Sequence, residues 1–415
     1  MNDQSNGTSW LAATLPVLEL AVMSVEAVRQ AALRIGATGR IASDPVDPER
    51  VAAAFGSDKL FRYDGCGPSG FAPMSGFFAA ADGWVRTHAN YPHHAQRLAK
   101  VLELRDSGRE AAAAAIAPRS AADLEELAAT VGAILVRVRS EKEWNSTEMG
   151  RAAAVGELTE VRARDDQKPL TLRGGERPLA GVRVLDMTRV TAGPVCTRSL
   201  ALLGAEVLRV DPPQIPEIEW QHLDSGHGKR STLLDLRRDL SVAQALLDSA
   251  DVLVTGYRPG AIERFGLRPP PGVIRARINA WGDTGPWASR RGFDSIVQAV
   301  CGIALIESPD GTTPGALPAQ ALDHASGYRL AAGVIDALAQ QVADHRGRDV
   351  HVSLARTARD LLERPGQTPD HMSPAQPTER ATVTHGQLTT ARPAIPGFDD
   401  YPRPPHQWGT DVAAW

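Results

Sequence analysis

Cysteine is scarce in this chain. The 415 residues include three cysteines, Cys66, Cys196 and Cys301, which lie far apart and form no CxxC pair. An odd and scattered set of thiols argues against a disulfide framework and against a zinc site. We therefore expect no metal centre, and the composition fits the reducing cytoplasm.

Long apolar runs and an excess of positive charge are also missing. No stretch of about 18 apolar residues occurs, and no basic segment precedes the first apolar one, so neither a membrane span nor a secretory signal is predicted. The net charge of −4 gives no electrostatic reason to expect nucleic acid or an anionic membrane as a partner. These absences predict a cytoplasmic protein that acts on small molecules.

Hydrophobic residues at 43% and charged residues at 23% are typical of a globular protein, and the length predicts at least two domains. Residues 1–165 are rich in alanine and predict a small, helix-rich α+β domain. A helix is predicted to begin at Ser120, a strand at 134–139 and a further helix at Ser140, whose Ser-x-x-Glu pattern is a capping box. Polar residues 166–178 predict a linker.

Strands alternate with helices from Leu179 onward. Apolar segments at 182–186, 206–210, 231–235, 251–254 and 274–278 predict an α/β domain over residues 179–360, with a Rossmann-like, doubly wound parallel sheet. Residues 361–415 are rich in proline and polar residues, which predicts a partly disordered tail, docked through Trp408 and Trp415 if at all.

Asp323 is the residue that we select as the candidate for chemistry. It lies near the predicted start of a long amphipathic helix, so it could cap that helix, act chemically, or do both. Backbone N–H groups and the helix dipole would keep its carboxylate ionised. An ionised carboxylate is what attack on a thioester carbonyl requires.

Several segments together resemble the family III CoA-transferases, the CaiB/BaiF group. They are LAGVRVLDMTRVTAGP at 179–194, LGAEVLRVDPP at 203–213, GKRS at 228–231, RPGAIERFG at 258–266, GDTGP at 282–286, GFD at 292–294 with Gln298 and Ala299, Asp323, and RGRDVHVSL at 346–354. The Gly193-Pro194 turn carries neither GxGxxG nor GxxxxGK[ST], so a nucleotide fingerprint is not predicted there.

The resemblance implies that Asp323 is the nucleophile and that coenzyme A is moved from an acyl-CoA to a carboxylic acid. It places contacts to coenzyme A on seven residues: Val190, Thr191, Ala192, Lys229, Arg230, Tyr257 and Arg264. Coenzyme A would be a substrate, with no permanently bound cofactor. The resemblance also implies a homodimer.

In the family the Rossmann-like domain usually opens the chain, whereas here the segment FAPMSGFFAAADGWVR at 71–86 resembles the small domain and comes first. We therefore predict a permuted order. Racemases of the family pair the aspartate with a histidine at the position that is Phe293 here, so racemisation would need His324 or His88 instead. His93 and His94 are predicted to lie at a helix start or on the surface.

Two alternatives remain open from the sequence. One is an α-methylacyl-CoA racemase or epimerase, and the other is an inactive subunit that binds acyl-CoA.

Overall fold

The computed structural model describes residues 10–258, 260–368 and 375–415. Residues 1–9 of the predicted small domain, Pro259 within the 258–266 segment and residues 369–374 of the predicted tail lie outside the described residues. Helices of the N-terminal half are Val17–Arg34 (α1), Arg40–Ser43 (α2), Pro48–Phe55 (α3), Ser57–Leu60 (α4), Pro92–Val101 (α5), Arg109–Ile116 (α6), Ala121–Val131 (α7), Glu141–Ser146 (α8) and Glu148–Ala153 (α9). Its strands are Arg62–Tyr63 (β1), Gly76–Ala80 (β2), Gly83–Thr87 (β3), Leu135–Arg137 (β4) and Glu160–Gln167 (β5).

The C-terminal half alternates the two element types. Its strands are Arg183–Met187 (β6), Glu206–Asp211 (β7), Lys229–Leu233 (β8), Val252–Thr255 (β9), Ile274–Asn279 (β10), Arg346–Ser353 (β11), Thr382–His385 (β12) and Leu388–Ala391 (β13). Its helices are Ala192–Leu202 (α10), Glu219–Ser225 (α11), Leu240–Asp248 (α12), Asp294–Cys301 (α13), Ile303–Ile306 (α14), Ala321–Asp344 (α15) and Leu354–Glu363 (α16), with short 3₁₀ turns at Glu263–Phe265 and Glu379–Ala381.

Within the described residues the large sheet has seven strands in the order β5-β11-β10-β9-β6-β7-β8. The strands from β6 to β11 run parallel, and β5 adds to the edge beside β11 in antiparallel orientation. The order of the parallel strands reverses between β6 and β9, as in doubly wound nucleotide-binding folds. The predicted α/β class with a large parallel-rich sheet is confirmed.

Both faces of the large sheet are buried. Alternate residues of one strand enter different cores: Val184 packs in the core that contains α10 and α15, whereas Leu185 packs in the core that contains α12. A strand buried on both faces reads as a nearly continuous apolar run, because neither face meets water. This is why the strands of this half could be predicted from the sequence.

A second core lies between the antiparallel sheet β2-β3-β4 and helices α5 to α7. Helix α7 begins one residue after Ser120, as predicted, but Asp82 accepts the N–H of Ala121 and the hydroxyl of Ser120, so the cap comes from a distant residue. The capping box predicted at Ser140 is present, with Glu143 as its partner.

The N-terminal segment contributes to both cores. Helix α1 packs along α15, and Arg34 pairs with Asp336 at 2.7 Å. Strand β5 takes residues 160–167 into the large sheet, although we predicted residues up to 165 to belong to the small domain and 166–178 to a linker. The apolar contacts of residues 10–165 are thus divided between the two halves.

The tail differs from the predicted partly disordered segment. Strands β12 and β13 form a sheet with β1 of the N-terminal half, and Trp408 and Trp415 dock as predicted, donating to Asp211 Oδ2 and to the carbonyl of Leu246 at 3.0 Å each. Among the described residues no helix has both the length and the apolarity to cross a membrane.

Candidate functional site

A cavity of about 350 Å³ lies at the carboxyl ends of β6, β9 and β10. This is the position where the strand order reverses, and in open parallel sheets the two loops that leave on either side of that point form a crevice that binds ligands. The loop after β6 and the loop after β9 line it, together with the start of α15 and the start of α5 from the small domain. Both halves of the chain therefore contribute walls.

Asp323 lies in the first turn of α15 and lines this cavity with 6% of its surface exposed. Burial and the neighbouring charge of Asp294 raise the pKa of Asp323 well above its usual range. We expected the helix N-terminus to keep this carboxylate ionised. The structure corrects that expectation, because the side chain accepts no hydrogen bond from the described residues.

Asp294, at the start of α13, accepts backbone N–H groups from the first turn of α15 instead. Its Oδ2 accepts from the backbone N–H of Leu322 at 2.9 Å and of Asp323 at 3.0 Å. Asp294 is 1% exposed, and burial raises its pKa to about 6 despite these donors. Two buried carboxyl groups therefore lie at the start of α15, and only that of Asp294 accepts its N–H groups.

The loop between β6 and α10 carries three of the predicted contacts, and all three line the cavity: Val190, Thr191 and Ala192. Val190 has a left-handed φ of 68°, an unusual conformation for a branched side chain. Its N–H donates to Glu217 Oε2 at 3.1 Å. The loop conformation is thus tied to one buried carboxylate.

Glu217 is the centre of an ionic cluster beneath this loop, and its side chain is 1% exposed. It accepts from Arg209 at 2.7 Å, from Arg189 at 3.4 Å and from the hydroxyl of Tyr91. Burial alone would raise the pKa of Glu217, but Arg209 and Arg189 outweigh it and lower the pKa to about 2. The cluster joins the small domain, through Tyr91, to the loop that follows β6.

Tyr257 and Arg264, two further candidate contacts, also line the cavity. A second cavity of about 350 Å³ shares both residues, as well as Ile215 and Ala261, and continues over the ends of β7 and β8. The two cavities therefore adjoin and extend along the carboxyl edge of the sheet.

Lys229 and Arg230 do not line either cavity. Both lie on β8, two strands away from the point where the strand order reverses. Lys229 is 2% exposed, and its Nζ donates to Asp186 at 3.2 Å and to Thr197 at 2.6 Å, while Arg230 pairs with Glu206 at 2.8 Å. Successive side chains of a β-strand point to opposite faces, so Lys229 is buried beneath α10 while Arg230 lies partly exposed in an ion pair with Glu206.

The two adjacent histidines, His93 and His94, lie at a helix start as predicted, but they face the cavity and not the open surface. Both lie in the first turn of α5, and His94 is 5% exposed. His88 stacks on Phe293 with ring centroids 3.8 Å apart. His324 points away from the cavity and stacks on Phe55. Burial lowers the pKa of His88 and of His324 to about 3 each, so both rings are neutral.

Four arginines that line the cavity were not selected from the sequence: Arg189, Arg258, Arg290 and Arg291. Desolvation and the nearby charges of Arg258 and Arg97 lower the pKa of Arg291 to about 10, which shows that cations cluster here. Arg290 and Arg291 are adjacent in the sequence, and this pair of cations was the signal by which they could have been selected. Among the described residues no group of three potential ligands could hold a metal ion.

Comparison with models of protein families identifies a family for this chain. The model described as CoA-transferase family III matches residues 179–392. An acetyl-coenzyme A transferase of Hypoxylon pulicicidum is 35% identical over 215 residues, which are 47% of this chain and 35% of that protein. A probable fatty acyl-CoA transferase of Mycobacterium tuberculosis is 38% identical over 184 residues, which are 39% of this chain and 46% of that protein.

A crystal structure of the mycobacterial protein aligns with a TM-score of 0.42 and 37% identity, covering 45% of this chain and 55% of that one. The chain thus spans about half the length, or less, of the curated relatives described above.

Proposed function

Because this chain belongs to CoA-transferase family III, we propose that it transfers coenzyme A from an acyl-CoA thioester to a carboxylic acid, with Asp323 as the nucleophile. The observation that carries the proposal is the position of Asp323 on the wall of the cavity where the strand order reverses. A carboxylate at this position can reach a thioester bound across the carboxyl ends of the strands.

The proposed reaction balances without a further reagent. The Asp323 carboxylate attacks the thioester carbonyl, and the C–S bond breaks to give an aspartyl mixed anhydride and the CoA thiolate. The thiolate attacks the aspartyl carbonyl and releases the donor acid, which leaves an aspartyl-CoA thioester. The acceptor carboxylate then attacks the aspartyl carbonyl of this thioester, and its C–S bond breaks to give a second mixed anhydride and the CoA thiolate. The thiolate attacks the acyl carbon of the acceptor, and the C–O bond to Asp323 breaks to give the new acyl-CoA and the free Asp323 carboxylate.

The two adjoining cavities support coenzyme A as the shared substrate. Coenzyme A is long and carries three phosphate groups, which need an extended cleft with cationic donors. Arginine guanidinium groups bind phosphate oxygens in bidentate fashion, and Arg264 lines both cavities. We place coenzyme A against Val190, Thr191, Ala192, Tyr257 and Arg264.

One observation favours epimerisation as a second candidate. His93 and His94 line the same cavity as Asp323, although Phe293 occupies the position of the racemase histidine. A neutral imidazole can accept a proton from the α-carbon of an acyl-CoA. Incorporation of solvent deuterium at that carbon, without any acid acceptor, would favour this candidate over transfer.

Four further proposals follow from family membership. The small domain precedes the Rossmann-like domain in an order permuted within the family, which is supported by a family match that begins only at residue 179. The chain acts as a homodimer in the cytoplasm. It holds no permanent cofactor, since coenzyme A enters and leaves as a substrate.

Trapping of the intermediate tests the proposed function. The purified protein is incubated with a panel of acyl-CoA thioesters and hydroxylamine, and mass spectrometry is used to locate a hydroxamate. We expect the adduct on Asp323 and its loss in Asp323→Asn, whereas Asp106→Asn, at an exposed carboxylate of the small domain, should retain it. A panel that yields transfer but no adduct on Asp323 would exclude this nucleophile.

A further inference from the structure

Asp294 holds the start of α15 from a neighbouring helix. Helix α15 has no side-chain hydrogen bond from its own N-cap residue, Gln320, and unsatisfied N–H groups at a helix start need another acceptor. The carboxylate of Asp294 accepts two of them, those of Leu322 and Asp323. The first turn of α15 is therefore fixed by α13.

Gln298, one turn further along α13, completes this arrangement. Its Nε2 donates to Asp294 Oδ1, and its Oε1 accepts the N–H of Leu317 at 2.9 Å. One buried pair on α13 thus holds both the start of α15 and the loop that leads into it. These side chains are 1% and 3% exposed, so water does not compete for the bonds.

We infer that Asp294, supported by Gln298, is a positioning residue that fixes Asp323 at the cavity wall and withholds the helix N–H donors from its carboxylate. This inference rests on the proposed function of Asp323. A carboxylate without hydrogen-bond donors is a stronger base and nucleophile than one stabilised by a helix terminus, because nothing offsets its negative charge.

The charged and titratable groups around the pair are few. Arg86 on β3 faces Asp294 from the small domain and favours its ionised form. His88 and His94 approach from the same domain, and burial lowers the pKa of each, to about 3 and about 2 respectively, so they add no positive charge near neutral pH. The Asp294 charge is therefore the main electrostatic influence on Asp323 besides burial.

A double-mutant cycle tests the coupling without requiring activity. Free energies of unfolding are measured by urea denaturation between pH 4 and pH 8 for the wild type, Asp323→Asn, Asp294→Asn and the double variant. Asparagine at 294 keeps one oxygen to accept the two N–H groups but removes the charge. Asp106→Asn is the control, because it removes an exposed carboxylate that is not coupled to Asp294 or Asp323.

The sign follows from the raised pKa of Asp323. A carboxyl group whose pKa is raised by folding stabilises the folded state below its unfolded pKa, and this contribution is lost as the pH rises through the folded pKa. The free energy of unfolding of Asp323→Asn should therefore exceed that of the wild type at pH 8 but not at pH 4. This gain should be smaller when Asp323→Asn is added to Asp294→Asn. An equal gain in both backgrounds would overturn the inference.

The catalytic consequence is measured by the rate of hydroxamate formation against pH. The acidic limb of the wild-type profile should move to lower pH by about one unit in Asp294→Asn, with slower trapping at the plateau. If Asp294→Asn does not fold, Asp294→Ser supplies a neutral cap for the same measurements. An acidic limb that does not move in Asp294→Asn would refute the positioning role. Absence of any adduct in the wild type would instead refute the proposed function, and the double-mutant cycle of unfolding free energies would then decide whether Asp294 and Asp323 are coupled.

Discussion

Gly327 lies one helical turn after Asp323, at a point where α15 packs tightly against α10. A Cβ atom at this position would lie 2.4 Å from the carbonyl oxygen of Ala192 and 2.9 Å from Val195 Cβ. Carbon and oxygen atoms in contact are usually about 3.3 Å apart or more. The Gly327→Ala substitution must therefore separate the two helices by about 1 Å, because the obstacle is backbone.

This displacement should affect activity more than stability. Overpacking of this kind costs about 1–3 kcal/mol, and the better helix propensity of alanine offsets about 1 kcal/mol of it. We expect a net loss of about 0–2 kcal/mol in the free energy of unfolding. In contrast, a misplacement of about 1 Å at a reacting centre can lower the rate by about 100-fold, since Asp323 and the Thr191–Ala192 loop lie on the separated elements.

The assay compares initial rates of CoA transfer with urea denaturation of the same samples. Gly67→Ala is the matched control, because Gly67 is exposed and its nearest neighbouring atom is Arg62 Nη1 at 3.7 Å. The control should change neither quantity. Wild-type transfer rates in Gly327→Ala would show that the spacing of α10 and α15 does not set the geometry of the site.

Three other substitutions test separate features. Glu217→Ala removes the carboxylate that Arg189 and Arg209 share, although Asp211 still pairs with Arg209 at 2.6 Å. It should lower the free energy of unfolding by about 3 kcal/mol, as measured by urea denaturation; a loss below about 1 kcal/mol would mean that the cluster is solvated. Arg264→Gln should weaken binding of CoA by about tenfold or more in calorimetry, whereas Arg230→Gln should not; equal effects would restore Arg230 as a contact. Truncation after residue 405 removes Trp408 and Asp411. The backbone N–H of Asp411 donates to the carbonyl oxygen of Ser231 on β8 at 2.8 Å, so its loss exposes the edge of the large sheet. Light scattering should then show association of the truncated chain, and a monodisperse fragment would contradict this.

The regular elements of the C-terminal half could be predicted closely. Strand β7 was predicted at 206–210 and is observed at Glu206–Asp211, and β10 was predicted at 274–278 and is observed at Ile274–Asn279. These strands are buried on both faces, so their apolar character is visible in a single sequence. The position of Asp323 at a helix start was visible for a similar reason, because the long apolar face of α15 marks where that helix begins.

Long-range partners could not be predicted in the same way. Strand β5 is polar and lies at the sheet edge, so no apolar pattern marks it. Lys229 belongs to a basic pair that is typical of a phosphate contact, but its burial beneath α10 depends on Asp186 and Thr197, which are distant in sequence. The raised pKa of Asp323 likewise depends on burial and on the charge of Asp294, neither of which is visible in the sequence, since periodicity identifies a helix start but not the side chain that caps it.

The packing of α1 along α15 means that the unit able to fold by itself is larger than the segment shared with the family. A fragment that starts at Leu179 would leave one flank of α15 bare, since Leu20, Val25 and Val28 belong to the same core as Leu330, Val334 and Leu338. It would also lose the backbone N–H groups of Thr14 and Leu15 that bind Glu307 at 2.9 Å each. Residues near the beginning of the described chain thus support the helix that carries Asp323, which begins about 300 positions later.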